Sequence, residues 1–344
     1  MAIDVPGVDL DVLEGWMDLE GLGSGALTDL ELIAGGTQNV LLRFRRGERW
    51  YVLRRPPVHK RKNSDDTMRR EARVLGALSG SAVPHPGLIA ACADESVLGA
   101  AFYLMEPVEG FNPTLGLPEP YASDPARQAQ IGLAMADAIA ALGAVDHVAV
   151  GLDDLGHADG WLERQVERWR GQLASYSDQD GYGGPDIPGV DAVADWLDAH
   201  RPATWRAGLI HGDFHLANVL FHPTEARLAA IVDWELATVG DPLLDLGHLL
   251  ATWPSPERGD GPTTVAVPGA AMTSVDDIVA RYAARSDRDL AALPWYRVLA
   301  CYRLGIILEG THARAAAGRA PKEVGDLLHA MTVGLFQQAL TLIA

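Results

Sequence analysis

Short apolar runs separated by turn residues fill the first third of the chain. Apolar residues such as Trp16 and Met17 recur at helical spacing and predict an amphipathic helix over residues 10–21. Two β-rich runs, residues 40–45 and 50–54, flank an Arg–Gly turn and end before a Pro–Pro pair. Such runs on either side of a glycine turn predict a β-hairpin.

A helical pattern follows the hairpin and dominates the rest of the chain. Apolar positions predict a helix over residues 63–79, which Ser64 and Asp65 are placed to cap. Two short apolar runs, 88–92 and 101–105, complete the strand-rich part. The later predicted helices span residues 125–142, 161–176, 190–200, 242–251, 274–284, 290–317 and 322–344.

This order, with strands first and helices afterwards, is typical of an α+β protein with two lobes. We expect a small β-rich N-terminal lobe over residues 1–107 and a larger helical C-terminal lobe over residues 108–344. The two lobes would meet near residues 106–110.

Composition narrows the class of protein. The net charge of −18 disfavours nucleic acid and anionic membranes as partners. The two cysteines, Cys92 and Cys301, form no CxxC spacing, which favours a reducing compartment. The first residues lack a basic region of the kind that begins a signal peptide, and no apolar run reaches the ~18 residues of a membrane span. We therefore expect a cytoplasmic protein; its oligomeric state is not readable from the sequence.

The candidate chemistry lies in residues 209–221. An apolar run leads into a turn that holds Asp213, and Asn218 follows five positions later. A further strand, residues 228–232, ends at Asp233. Phosphoryl transfer needs one group to orient the attacking hydroxyl and oxygen ligands for the metal on the nucleotide phosphates. Mg²⁺ prefers such hard oxygen ligands, so these three side chains suit that reaction.

The HGDxxxxN segment at residues 211–218, followed by Ile-Val-Asp-Trp at 231–234, resembles the aminoglycoside phosphotransferase and choline kinase superfamily. The resemblance implies a protein-kinase-like fold and phosphorylation of a small-molecule hydroxyl by ATP or GTP with Mg²⁺. It implies that Asp213 is the catalytic base and that Asn218 and Asp233 bind the metal. His211 would brace the loop.

Residues 88–110 and 232–250 resemble one subgroup, the kinase-like phosphotransferases that also occur fused to certain acyl-CoA dehydrogenases. The likeness runs from residue 35 to about residue 314. It implies a hydroxyacyl-CoA or another hydroxylated metabolite as the acceptor, in preference to an antibiotic. An anionic CoA would need basic groups, and five of them cluster near the phosphate side: Arg54, Arg55, Lys60, Arg61 and Lys62.

The resemblance also assigns parts of the N-terminal lobe to the nucleotide. Gly35 and Gly36 are candidates for the turn over the phosphates, although the full GxGxxG pattern is missing. Arg54 stands where kinases carry their strand lysine, and its permanent charge suits phosphate oxygens. Val52, on the same face of the strand, would line the adenine pocket, and Glu71 would pair with Arg54.

Residues 102–107 resemble the hinge between kinase lobes. Backbone groups at Met105 and Glu106 are therefore candidates for binding the adenine edge. Asp245 lies where kinase-like folds often use an aspartate to brace the catalytic loop, and we interpret Asp241 and Asp245 as structural. In the later helices, Glu309, His312 and Arg314 are candidates for the acceptor cleft.

Two alternatives stay open at this stage. One is a two-metal phosphoesterase, built from His211, Asp213, His215, Asp233, Asp241 and His248. The other is a nucleotide-binding pseudokinase, which the arginine in place of the usual lysine keeps open. Arg54 and Glu71 also have plain alternatives as an exposed strand residue and a solvated helix charge. His215 and His248 are interpreted as local hydrogen-bonding residues.

Overall fold

A five-stranded antiparallel sheet forms the N-terminal part of the molecule. The computed structural model describes residues 5–33, 39–254, 267 and 271–344. The strands lie in the order β1-β2-β3-β5-β4. They are β1 Leu27–Leu32, β2 Val40–Arg46, β3 Arg49–Arg55, β4 Leu88–Cys92 and β5 Phe102–Met105. The glycine candidates Gly35 and Gly36 lie outside the described residues.

Two helices cover opposite faces of this sheet. Helix α1 (Leu10–Leu19) packs its Trp16 against Phe102, with ring centroids 4.8 Å apart. Helix α2 (Ser64–Ala77) packs on the other face, where Tyr103 is buried. Since successive strand residues point to opposite faces, the sheet directs alternate side chains towards α1 and towards α2.

Helix α2 begins as predicted but is not capped as predicted. Its first residue is Ser64, the residue before it makes no side-chain cap bond, and Asp65 lies inside the first turn. Asp65 instead accepts a hydrogen bond from the backbone N–H of Ala101 over 2.9 Å and pairs with Lys60. The expected cap is therefore wrong, because this carboxylate ties the helix to the sheet.

The rest of the described chain is mainly helical. A short helix, α3 (Glu95–Leu98), connects β4 and β5, and the later helices are α4 Pro125–Gly143, α5 Arg164–Ala174, α6 Val190–Ala199, α7 Leu243–Thr252, α8 Val275–Arg285, α9 Leu293–Ala316 and α10 Lys322–Ile343. All ten residues of α7 are buried. Helix α9 packs against α7 and α10, and Tyr296, Leu299 and Ile306 place its buried face in the core.

Two short strand pairs interrupt this helical part and carry the loops with the candidate chemistry. Strand β6 (Gly208–Ile210) pairs with β9 (Thr238–Gly240), and β7 (Val219–Phe221) pairs with β8 (Leu228–Ile231). Phe111, which follows the sheet, bridges to Phe221 and so connects β7 with the segment after β5.

The expected α+β fold with two lobes is confirmed. The predicted helices occur within a few residues of their expected ends, for example 290–317 against Leu293–Ala316. Strand β1 is an exception, because its buried and exposed residues do not alternate and its sequence carries no strand pattern. None of the described helices combines the length and apolar character that crossing a bilayer requires.

Candidate active site

Two adjacent loops bring Asp213, Asn218 and Asp233 to one edge of the short strand pairs. The first loop leaves β6 and enters a 3₁₀ turn, Leu216–Asn218, before β7. The second leaves β8 at Asp233 and enters another 3₁₀ turn, Trp234–Leu236. The N–H of Val232 donates to the carbonyl of Asn218 over 2.9 Å, which holds the loops side by side.

The side chains of Asp213 and Asn218 are in direct contact. Asn218 Nδ2 donates to the backbone oxygen of Asp213 and to its Oδ2, each over 3.0 Å. Because Nδ2 makes these bonds, Oδ1 is the end of the amide left to bind a cation. The Asp213 side chain is 31% exposed, so one side of its carboxylate is accessible to a ligand.

Histidine and arginine side chains surround Asp213. His215 Nε2 lies 3.4 Å from Asp213 Oδ2, and His248 Nε2 lies 3.3 Å from Oδ1. Burial opposes ionisation of Asp213, but the hydrogen bond from His215 and the positive charge of Arg303 favour it. The pKa of Asp213 is held well below its usual range, so the carboxylate is ionised at neutral pH.

His248 is itself neutral at that pH. It is completely buried on α7, and burial lowers its pKa to about 3. A neutral imidazole beside Asp213 contributes a polar N–H rather than a full charge. The hydrogen bond from His215 is the largest of the effects that favour the ionised state of Asp213.

His211 and Asp245 fix the backbone of the first loop. Asp245 accepts hydrogen bonds from the N–H groups of His211 (2.6 Å) and Gly212 (2.9 Å). His211 Nδ1 accepts from the N–H of Asp213 over 3.2 Å, and its Nε2 lies 3.0 Å from the carbonyl of Val232. Since Nδ1 accepts, Nε2 carries the proton and donates it to that carbonyl. His211 thus joins the two loops.

Arg54 lies in the cleft between the sheet and the second loop. Its Nη2 donates to Glu71 Oε1 over 3.1 Å and to Asp233 Oδ1 over 2.8 Å, and its Nε lies 2.8 Å from Glu71 Oε2. Tyr103 donates to Glu71 Oε2 over 2.7 Å. Burial lowers the pKa of Arg54, but Glu71, Tyr103 and Asp233 raise it by more. Arg54 is therefore not an exposed strand residue and Glu71 is not a solvated helix charge, because both side chains are buried.

The oxygen atoms near Asp233 fit a hard divalent cation. Carboxylate oxygens of Glu71, Asp233 and Glu235 lie within 4.8 Å of one another. Burial and the charge of Asp233 raise the pKa of Glu235, as expected for carboxylates that crowd together. Carboxylate and amide oxygens are the ligands that Mg²⁺ prefers, so Asp233, with Asn218 beside the same loop, suits a magnesium–nucleotide complex.

A cavity of about 630 Å³ opens between the sheet and the first residues of the helical part. Its walls include Trp50, Val52 and the segment 107–110. Val52, which the sequence predicts to line an adenine pocket, lies in the wall of this cavity. Met105 pairs with Val52 across β3 and β5, but it is not among the residues of the cavity wall.

The N–H of Glu106 is already used. It donates to the carbonyl of Gly87 over 2.8 Å, and the Glu106 side chain pairs with Arg49. Only the carbonyl of Glu106 is left for an adenine edge at this residue. The hinge prediction for the backbone groups of Met105 and Glu106 stays a prediction, and at Glu106 it now concerns the backbone oxygen alone.

A second cavity, of about 600 Å³, lies beside Glu235 and is partly basic. Its walls include His59, Arg61 and Lys62, which lie just before α2. The other members of the predicted basic cluster have separate roles. Arg54 is paired as described above, Arg55 is buried, and Lys60 pairs with Asp65 and Glu95. Of the five basic residues in the predicted cluster, only Arg61 and Lys62 line this cavity.

The sequence model of the APH family, described as the phosphotransferase enzyme family, matches residues 29–293. The chain belongs to this family. A crystal structure of a putative aminoglycoside phosphotransferase from Ralstonia eutropha JMP134 superposes with a TM-score of 0.77 at 31% identity. The alignment covers 97% of this chain and 98% of that one.

Two further comparisons extend this result. The chain is 30% identical over 326 residues to acyl-CoA dehydrogenase family member 10 of Mus musculus, covering 90% of this chain and 29% of that protein. The chain thus spans less than a third of that relative. A thermostable mutant of aminoglycoside phosphotransferase APH(4)-Ia, in ternary complex with AMP-PNP and hygromycin B, shares the fold. Its TM-score is 0.59 at 18% identity, covering 94% of this chain and 98% of that one. The predicted resemblance to both groups is confirmed.

Several groups around Asp213 and Asp233 were missed as site residues or given only local roles. His248 on α7 and Arg303 on α9 both affect the ionisation of Asp213. Their spacing in the sequence does not predict that these helices lie near Asp213. Glu235 lies two positions after Asp233, so the sequence already placed a second carboxylate beside the predicted metal ligand. Tyr103 reaches Glu71 from β5 because the alternation of the strand points it towards α2.

The phosphoesterase alternative requires Asp241 as a metal ligand. Asp241 Oδ2 accepts a hydrogen bond from Tyr296 over 2.9 Å, and its Oδ1 accepts from the N–H of Leu243 over 2.9 Å. Arg288 Nη1 lies 3.7 Å from Oδ1. Asp241 is therefore engaged at the start of α7 and serves the structure, as does Asp245.

Proposed function

We propose that this chain transfers the γ-phosphoryl group of ATP or GTP to a hydroxyl group of a small molecule, with Mg²⁺. The observation that carries the proposal is the ionised Asp213 carboxylate, accessible on one side and held beside Asn218. Membership of the phosphotransferase enzyme family supports the same reaction class.

Asp213 would orient the acceptor hydroxyl. Its low pKa makes it a weak base, but phosphoryl transfer passes through a loose transition state in which the hydroxyl keeps its proton until late. The acceptor oxygen forms a bond to the γ-phosphorus while the bond to the nucleotide β-phosphate oxygen breaks. The hydroxyl proton moves to Asp213, and the nucleoside diphosphate leaves. Positioning and electrostatics supply most of the catalysis.

Asn218 and Asp233 would bind the Mg²⁺ that accompanies the nucleotide. When bound, Mg²⁺ neutralises charge on the transferred phosphates. Arg54 would bind phosphate oxygens with the part of its guanidinium that now contacts Asp233, while Glu71 holds the other side. His211 keeps the two loops in register through its bonds to Asp213 and Val232.

The nucleotide base would lie in the cavity lined by Val52 and residues 107–110. This position suits the expected division into a lobe over residues 1–107 and a lobe over residues 108–344, with the nucleotide between them. The preference between ATP and GTP would depend on backbone groups near Glu106. Calorimetry with each nucleotide measures it.

A hydroxyacyl-CoA is the acceptor we favour. The cavity with Arg61 and Lys62 offers positive charge to an anionic group close to Glu235 and the second loop. The likeness to acyl-CoA dehydrogenase family member 10 supports a CoA thioester, whereas the complex with hygromycin B supports an aminoglycoside. The negative net charge of the whole chain makes local basic groups a requirement for any anionic acceptor.

The test is a nucleoside diphosphate release assay with three acceptors. These are a CoA thioester that carries a hydroxyl on its acyl chain, the matching free hydroxy acid, and hygromycin B. We expect release with the thioester, and we expect Asp213→Asn to lower turnover about 10²–10⁴-fold while leaving nucleotide affinity intact. Unchanged turnover in Asp213→Asn would remove this carboxylate from the mechanism.

The acceptor assignment has a separate control. Lys62→Ala should raise KM for the CoA thioester but not for the nucleotide. Arg170→Ala removes an equal charge from α5, far in sequence from the cavity, and should change neither value. Nucleotide binding with no turnover on any acceptor would identify a pseudokinase. Phosphomonoester hydrolysis without nucleotide would identify a phosphoesterase.

A further inference from the structure

Helices α9 and α10 each carry a carboxylate followed three positions later by a histidine. The pairs are Glu309 with His312 on α9, and Asp326 with His329 on α10. Residues three apart lie on the same face of a helix. Each helix therefore presents one oxygen ligand and one nitrogen ligand side by side.

The packing of the two helices makes these faces meet. Thr332 Oγ1 donates to the carbonyl of Gly305 over 2.9 Å, while Gly325 packs against Ala315. Contacts that run in opposite directions along the two helices make them antiparallel. A Cβ at Gly325 would lie 2.4 Å from that of Ala315, so the glycine permits a close approach beside the four side chains.

The ligand atoms form a compact cluster. His329 Nδ1 lies 2.8 Å from Glu309 Oε2, and the rings of His312 and His329 are stacked with centroids 4.5 Å apart. One ligand atom from each of Glu309, His312 and His329 lies within 4.8 Å of the others. Asp326 Oδ1 lies 4.0 Å from His312 Nδ1.

Two groups in the cluster are placed to bind a cation: a buried carboxylate, whose oxygens contact Tyr182 and His329, and a shielded imidazole nitrogen. Glu309 is completely buried, and no Arg or Lys pairs with it in the described residues; Tyr182 donates to its Oε1 over 2.7 Å. His312 Nδ1 is shielded from solvent and has no hydrogen-bond partner within the described ranges. Buried carboxylates are normally paired with a cation or bind a metal. The cluster thus combines a buried carboxylate that no Arg or Lys of the described residues pairs with and an imidazole nitrogen that has no hydrogen-bond partner there.

We propose that Glu309, His312 and His329 bind a divalent transition-metal ion of the zinc class, with Asp326 as the fourth ligand. Two imidazoles and two carboxylates suit Zn²⁺ or Co²⁺ better than Mg²⁺, which prefers oxygen ligands alone. This site is separate from the magnesium site at Asp233 and does not depend on the proposed reaction.

Binding requires only small movements. Metal–ligand distances of about 2.0–2.2 Å demand that the ligand atoms draw together, and the two histidines are partly exposed and have room to rotate. Asp326 faces His312 with Oδ1 and pairs with Lys322 through Oδ2, and this exposed pair contributes little if the movement breaks it. Tyr182, which is hydrogen-bonded to Glu309, would orient the buried ligand from outside. The ion would join α9 to α10.

The test is a Co²⁺ titration of the full chain after chelator treatment, followed by visible absorption. We expect about one equivalent of Co²⁺ to produce an absorption band, and Zn²⁺ to displace it. His312→Gln and His329→Gln should each weaken Co²⁺ binding at least about tenfold, and Tyr182→Phe should weaken it by about 10–100-fold. Circular dichroism of each variant checks that it is folded.

Two control variants give the experiment its specificity. His200→Gln changes a histidine at the end of α6, outside the cluster, and should bind Co²⁺ as the unmodified chain does. His215→Gln tests the group near Asp213, where Asp213, His215 and His248 also lie close together. The proposal would be overturned if no absorption band forms, or if His312→Gln and His329→Gln bind Co²⁺ as tightly as the unmodified chain. Loss of Co²⁺ binding in His215→Gln would overturn it too.

Discussion

Arg54 Nη2 donates a hydrogen bond to Asp233 Oδ1 over 2.8 Å, which connects strand β3 to the loop after β8. The same guanidinium contacts Glu71 on α2. Arg54 therefore lies between a partner that is buried and a partner that is proposed to bind Mg²⁺. When a magnesium–nucleotide complex takes up Asp233, the freed N–H groups of Arg54 would turn to the phosphates.

The first prediction concerns the stability of this contact. Arg54→Met leaves Glu71 buried without its cation, and we expect it to lower the free energy of unfolding by about 3–5 kcal/mol. Urea unfolding measures this loss. Arg54→Lys keeps the charge and should retain activity, although a lysine cannot contact Glu71 with two nitrogens.

A double variant separates the charge from the packing. Adding Glu71→Gln to Arg54→Met removes the unpaired charge and should recover a large part of the lost stability. Equal destabilisation in the single and double variants would show that the buried charge is not the cause.

The second prediction concerns Gly212, which has a φ of 83° and lies against the second loop. A Cβ at this position would lie 2.5 Å from the carbonyl oxygen of Leu236. Gly212→Ala should therefore separate the two loops and abolish most activity. Gly151→Ala is the matched control, because Gly151 has a φ of 73° and open space around it. Both variants carry the left-handed strain of about 1–2 kcal/mol, but only Gly212→Ala should lose activity. Equal activities would mean that the close approach is unimportant.

The third prediction is a pH dependence from His248. The charge of Asp213 raises the pKa of His248, whereas Arg303, His215 and His211 lower it, and burial is the largest effect. The folded pKa is about 3, against 6.5 for the ordinary histidine. Between these values the unfolded chain binds a proton that the folded chain does not. The free energy of unfolding should therefore fall by about 1.4 kcal/mol per pH unit as the pH drops through this window.

Urea unfolding at about pH 6 and about pH 5 measures this slope. His248→Gln keeps a polar N–H at the same distance along the side chain and should reduce the slope by about 1.4 kcal/mol per pH unit. His157→Gln, at an exposed histidine, is the matched control for the substitution. A slope that is the same in the unmodified chain and in His248→Gln would contradict a neutral His248.

Much of the fold and part of the site follow from local sequence. Asp213, Asn218 and Asp233 lie at the ends of short apolar strands, so their meeting was predictable from the motifs alone. The contact between Arg54 and Glu71 was expected from the resemblance to kinase-like proteins, and it forms because β3 points Arg54 to the face that α2 covers. Local pattern and tertiary contact agree at these positions.

Other features depend on contacts that local pattern does not encode. His248 and Arg303 approach Asp213 from distant helices, and their effect on its ionisation requires the packing of α7 against α9. The N–H of Glu106 is taken up by Gly87, which no hinge motif reveals. Strand β1 forms through pairing with β2 rather than through its own apolar pattern.

The central claim is that this cleft binds a nucleotide through Mg²⁺ at Asp233. Calorimetry with ATP and GTP, each with and without Mg²⁺, tests it on the unmodified chain and on Asp233→Ala. We predict that one nucleotide binds in the presence of Mg²⁺ and that Asp233→Ala loses at least about tenfold in affinity. Equal nucleotide affinity in the two proteins, or binding that is the same without Mg²⁺, would contradict the account.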